Sequence, residues 1–125
     1  MKNLDKNFHF LLLVILSVAV IGGCQNPYDA DIDGLTEAIR ANPNSDTLYQ
    51  WRALHYKNKA DAYGDKGDYN RAIADCTMAI RLAPNDGARI SYYQYRSRLY
   101  KAKGDDANAS ADNRTATQLL RYGSQ

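Results

Sequence analysis

The sequence predicts an all-α fold, a stack of antiparallel helical hairpins with about two and a half repeats. Three observations carry this prediction. First, shifting the chain by 37 residues lays "YKNKADAYGDKGDYNRAIADCTMAIRL", residues 56–82, over the stretch from Tyr93, and ten of 27 paired positions are identical. Second, alanines at 72 and 79, and again at 109 and 116, stand seven apart and so share one helix face, while tyrosines at 56 and 63, then 93 and 100, do the same one helix earlier. Third, Gly67-Asp68 and Gly104-Asp105 offer a helix-ending glycine followed by an N-capping aspartate, the punctuation of a helix–turn–helix unit.

Taken in order, five helices are expected, over about 30–41, 46–64, 68–82, 87–103 and 105–121. The first follows from "TEAIRANPNS", which repeats the ending "TMAIRLAPND" with Pro43 matching Pro84; it is a second helix without a full first one. Asp46 is the candidate cap of the next, whose ring positions at 56 and 63 point to one face. Pro84 ends the third helix, since proline cannot continue it. The fourth carries Tyr93 and Tyr100, and the fifth repeats the alanine face with little apolar bulk before Leu119, Leu120 and Tyr122. With so few units, the fold is expected to be marginal alone, because repeats bury a core only between neighbours.

Ahead of this domain lies an apolar run, Leu11 to Ile21, preceded by Lys2 and Lys6 and broken by Gly22-Gly23-Cys24. It is about half the roughly 20 residues that cross a bilayer and suits a secretory signal of roughly 7–15 apolar residues. Ile21-Gly22-Gly23-Cys24 resembles the lipobox of bacterial lipoproteins. The resemblance implies a signal peptide over 1–23, a diacylglycerol on the Cys24 thiol, an acylated new amino terminus with palmitate as the expected chain, and a lipidated tether over 24–28 before a domain over 29–125. Two or three chains make such an attachment stable, at roughly 0.8 kcal/mol per buried methylene. Gln25 in place of an aspartate favours the outer over the inner membrane.

The helical units resemble the tetratricopeptide repeat, with Tyr56, Tyr63, Gly67, Asp68, Tyr69, Ala72, Ala79 and Pro84 at fitting positions. Lys59, Ala60 and Cys76 depart from it, the last as a buried thiol filling a ring's place. The spacings Pro43 to Gly67 and Pro84 to Gly104 exceed the family's by near two turns and one, which implies lengthened first helices that keep their phase. The family lines a concave groove with its first helices. Carried over, its groove positions are Leu54, Lys57, Asp61, Gly64 and Asp65, then Ser91, Gln94, Arg98, Lys101 and Ala102. The expected partner-binding groove is Lys57, Asp61, Asp65, Gln94, Tyr95, Arg98 and Lys101, with Arg98 and Lys101 facing Asp61 and Asp65. Lys57 matches the lysine of the family's carboxylate clamp, but Asp61 stands where that clamp needs asparagine and would repel an anion.

Composition narrows the chemistry. A formal net charge of +2 with mixed signs gives no case for nucleic-acid binding. Of two cysteines, Cys24 is assigned to lipid, which leaves Cys76 without a disulfide partner. Past the signal the one histidine is His55, which leaves a nucleophile without a dedicated base. Asp29, Asp31, Asp33 and Gly34 match half of a calcium loop, but its twelfth position is Arg40 instead of glutamate. No metal, cofactor or catalytic residue is expected, and no enzyme. The expected role is a cell-envelope adaptor or assembly factor that binds another envelope protein or peptide, with homo-oligomerisation open; the alternatives are a small hydrolase using aspartates and a capping subunit of a longer repeat protein.

Overall fold

The computed structural model describes residues 26–123, and the expected signal peptide and Cys24 lie outside them. Five α-helices follow one another: α1 Pro27–Ala41, α2 Asp46–Tyr63, α3 Lys66–Leu82, α4 Asp86–Lys103 and α5 Asp106–Tyr122. Each packs on the next, so α2 with α3 and α4 with α5 form two complete hairpins, and α1 packs chiefly on α2. No helix among the described residues is long and apolar enough to cross a membrane.

Capping explains where each helix begins. Asn26 accepts a hydrogen bond from Tyr28 N at 3.0 Å, with Pro27 at the first helical position, where its missing N–H costs nothing. The first helix therefore starts three residues ahead of expectation, and Pro27 and Tyr28, assigned to the tether, are helical. Ser45, not Asp46, caps α2, leaving the Asp46 carboxylate to accept from the Tyr92 hydroxyl of α4 at 2.5 Å. Asn85 caps α4 through Ala88 N at 2.8 Å, and Asp105 caps α5 through Asn108 N at 3.1 Å.

The turn between α2 and α3 is the main departure. It falls at Gly64-Asp65 instead of Gly67-Asp68: Gly64 takes φ +69°, a left-handed conformation open to glycine at little cost, and Asp65 caps α3 by accepting from Gly67 N at 2.8 Å. Two glycine–aspartate pairs three residues apart satisfy the same local rule. Using the first sends Asp68 inward, where it is fully buried beside Arg71. The second hairpin turns where expected, with Gly104 at φ +92°. α2 and α4 then have equal lengths of 18 residues, so the extra turn expected in α2 alone is absent.

The core follows the repeat. Ala72, Ala79, Ala109 and Ala116 are buried, as the seven-residue spacing requires. One cluster gathers Ile39, Tyr49, Ala79, Ile80 and Tyr92; the other gathers Ala53, Ala72, Ile73, Cys76 and Leu99, with Tyr56, Tyr69, Tyr95 and Tyr100 packed against it. Leu99 of α4 reaches both α2 and α3 in this second cluster, so it joins the hairpins. Ser97 ties α4 to α5 by donating to the Ala109 carbonyl at 2.8 Å. Tyr63 does not enter the core; it is exposed and meets Tyr28 edge-on, 6.4 Å between ring centroids.

Cys76 sits in the ring position as a fully buried thiol, and burial, helped by the charge of Asp75, pushes its pKa up to about 12. Burial likewise pushes the Tyr92 and Tyr95 phenols up to about 12. A pKa higher in the folded than in the unfolded chain adds stability that is intact below the unfolded value and is lost as pH rises through the folded one. Stability against urea is therefore expected to fall from about pH 9 upward, by about 1.4 kcal/mol per pH unit for Cys76 alone. Cys76→Ala should flatten that limb, and an unchanged slope would contradict the assignment.

Candidate protein-binding groove

The expected groove residues lie on the outward side of α2 and α4, and the structure brings only some of them together. On α4, Gln94, Arg98 and Lys101 recur at helical spacing and border one cleft of about 590 Å³, whose far wall is Asp106, Ser110 and Asn113 of α5. Arg98 lies over the Tyr95 ring, 5.8 Å from its centroid, and Lys101 Nζ meets Asp106 Oδ1 at 2.7 Å. Tyr95 does not line this cleft: its ring packs on the Ala53–Cys76 cluster of the preceding hairpin, and its buried hydroxyl has no hydrogen-bond partner among the described residues.

The α2 half behaves differently. Asp61 accepts from both Lys57 and the Tyr69 hydroxyl, which hold its carboxylate below the usual range, the Lys57 bond foremost. Asp65 is spent as the cap of α3. The expected opposition of Arg98 and Lys101 to Asp61 and Asp65 is therefore not formed: each acid bonds within its own hairpin, and Lys101 bonds within the next. Local competitors lay within a few residues in every case, and short connections win over partners on another hairpin. Two exposed cations, Arg98 and Lys101, remain along α4 and share the cleft with Gln94.

Two further arginines escaped the expected groove and do the internal work. Arg52 donates through Nε and one terminal nitrogen to both oxygens of Asp75, at 2.8 and 2.7 Å, and through the other nitrogen to Thr36 Oγ1 at 3.1 Å. Arg96 repeats this with Asp112, at 2.8 and 2.8 Å, and Thr77, at 2.9 Å. Each guanidinium thus clasps three successive helices and lies between two tyrosine rings, Tyr49 and Tyr56 for Arg52, Tyr93 and Tyr100 for Arg96. The signal was present as "YQWRALHY" at 49–56 and "YQYRSRLY" at 93–100, a match at a shift of 44 that a shift of 37 hides. The difference of seven is two helical turns, so both motifs keep the same face.

The acidic run of α1 has no calcium-loop geometry. Asp29, Asp31 and Asp33 lie inside a continuous helix, with Asp29 accepting from Lys59 at 2.7 Å and Asp31 approached by His55 Nδ1 at 3.4 Å.

The C-terminal face of the stack is polar where the internal one is apolar. Asp106, Ser110 and Asn113 occupy the places of Tyr69, Ile73 and Cys76, and all three are exposed, while Ile73 and Cys76 are buried under α4. The buried alanines persist beneath, so α5 closes its hairpin without inviting another.

Among known proteins, the family model for the tetratricopeptide repeat matches residues 53–86. No curated protein and no solved structure matches the chain. The matched segment begins at Ala53 inside α2, contains all of α3 and ends at the start of α4, so it covers the later part of α2, the turn and α3 of one hairpin with the residues that lead to the next. With a second hairpin behind it and a single helix in front, the chain carries a tetratricopeptide repeat inside a stack of like hairpins.

Proposed function

We propose that the protein is a lipid-anchored adaptor of the bacterial cell envelope, held at Cys24 after removal of residues 1–23, with the outer membrane as its site, and that it binds a segment of another envelope protein along α4. Repeats of this family mediate protein–protein interaction, which supports a binding role over a catalytic one. The observation that carries it is the row of Gln94, Arg98 and Lys101, whose two cations stay exposed beside a ring and an open cleft while the acids of α2 are taken locally. An extended segment with an acidic residue fits, since rings and arginines contribute most where binding energy concentrates. A hydrolase working through paired aspartates is disfavoured: Asp75 and Asp112 are locked by arginines, Asp61 by Lys57 and Tyr69, and Asp65 and Asp105 are caps.

The test is capture of the anchored protein from its own membranes with quantitative mass spectrometry. One partner in stoichiometric amount, reduced about tenfold or more by Arg98→Glu and unaffected by exchange of the remote, exposed Arg40, is the expected result. The Cys24→Ala chain should leave the membrane fraction. Equal recovery with and without Arg98→Glu would remove the groove, and a Cys24→Ala chain that stays bound would remove the anchor.

A further inference from the structure

In a stack of this kind each second helix is clasped by a first helix. α3 has α2 and α5 has α4, but among the described residues α1 has none in front of it. Its side toward α2 is used: Ile32 and Ile39 are buried, and Thr36 and Asp29 bond to Arg52 and Lys59. With Pro43 aligned on Pro84, the places of Ala72, Cys76 and Ala79, which are fully buried in α3, fall on Asp31, Leu35 and Ala38. Asp31 is exposed, and Leu35 and Ala38 are half-buried. Asp31 and Leu35, together with Ala30, Gly34, Trp51 and His55, border an open cleft of about 300 Å³.

Trp51 marks what is missing. In the shared motif its counterpart is Tyr95, packed on Ala53 of the preceding first helix and on Ala72 and Cys76 of the preceding second helix. Trp51 has only the second helix, α1, to lie against, and it remains 53 % exposed. So large an exposed indole beside an unfilled helix position is an interaction surface.

We propose that this cleft receives one helix of a partner protein, donated in the first-helix position and about the length of α2. The proposal rests on the removal of residues 1–23, which leaves only Cys24 and Gln25 ahead of Asn26 and α1, too little chain to supply a helix. A second copy added head to tail would bring its polar α5 against α1, a second helix against a second helix, and would not fill the position. The occupant's chemistry follows from the hairpin already formed. α2 turns small, buried residues, Ala53 and Ala60, toward α3. The donated helix needs small residues at the same seven-residue spacing, and at the position of Ala53, which clusters with Ala72 in the complete hairpin, a lysine or arginine, because Asp31 replaces Ala72 and its carboxylate is 61 % exposed with His55 as its neighbour.

Trp51 is the chain's one tryptophan, so its emission reads the cleft directly. The processed, anchored protein in detergent is titrated with two capped 18-residue peptides of the sequence 46–63, both with Trp51→Phe, one with Ala53→Lys and the other with Ala53→Glu. Expected are a saturable blue shift and reduced acrylamide quenching with the lysine peptide, about tenfold weaker binding of the glutamate peptide, and a reversed preference in the Asp31→Lys protein. No saturable shift with either peptide, or equal binding of both to both proteins, would overturn the proposal. So would a blue shift produced by protein concentration alone, which means that a second copy covers the cleft. The intact mass reports processing separately: a chain that keeps residues 1–23 with Trp51 already shielded overturns the proposal in favour of its own leader, whereas one that keeps them and still binds the lysine peptide refutes the cleavage and leaves the cleft standing.

Discussion

Cutting Arg96 back to alanine is expected to cost this protein about 3–5 kcal/mol, a large share of the roughly 5–15 kcal/mol by which folded domains are stable. Asp112 and Arg96 have side chains only 7 % and 16 % exposed, and the bond between them is bidentate. Removing the cation leaves a carboxylate inside with no compensating charge, and the Thr77 hydroxyl and two tyrosine rings lose their common partner. The control is the double exchange Arg96→Met with Asp112→Leu, which removes both charges together and should recover much of the loss, because an apolar pair of similar volume often replaces a buried ion pair without penalty. Urea unfolding checks both. A loss below about 1 kcal/mol for Arg96→Ala would place the pair among solvent-screened surface bridges and remove it as a joint of the stack.

Leu99→Ala is expected to cost about 3 kcal/mol, within the 2–5 kcal/mol range for a buried leucine. Leu99 is fully buried, and four of its cluster neighbours, Ala53, Ala72, Ile73 and Cys76, belong to the preceding hairpin. Its loss opens space between hairpins instead of within one, and alanines on the far wall have no side chain long enough to refill it. Amide exchange in α4 and α5 should accelerate more than in α2 and α3. The exposed Leu120 provides the comparison: Leu120→Ala should fall within about 0.5 kcal/mol of the parent. Equal effects at both positions would mean that Leu99 does not join the hairpins.

The helix order and the buried alanine face were legible from spacing, because a residue seven positions along a helix returns to the same side whatever surrounds it, and the thiol in the ring's place followed from the resemblance to the repeat family. The turn at Gly64 was not, since a helix-ending glycine followed by an aspartate occurs twice within five residues, and the decision depends on Asp68 finding Arg71 once inside. The groove was half legible. Helical phase put Gln94, Arg98 and Lys101 on one cleft, but phase says nothing of competition: Tyr69 is eight residues from Asp61 and on another helix, and its hydroxyl takes the carboxylate that Arg98 was expected to face. The arginine clasps were hidden for a different reason. The repeat shift that aligns the second helices is not the shift that aligns "YQWRALHY" with "YQYRSRLY", so a single offset along the whole chain could reveal only one of the two correspondences.

Asp106, Ser110 and Asn113 give the array a direction. A further copy of residues 53–86 spliced in behind Tyr122 would meet a wetted wall and find no apolar seat, whereas one spliced in ahead of α1 would meet Trp51, Leu35 and an unfilled helix position. Duplication can therefore lengthen this protein at its beginning and not at its end unless those three residues change with it. With the lipid anchor proposed above at Cys24, growth toward the amino terminus would move the far tip outward one hairpin at a time and leave that tip unaltered.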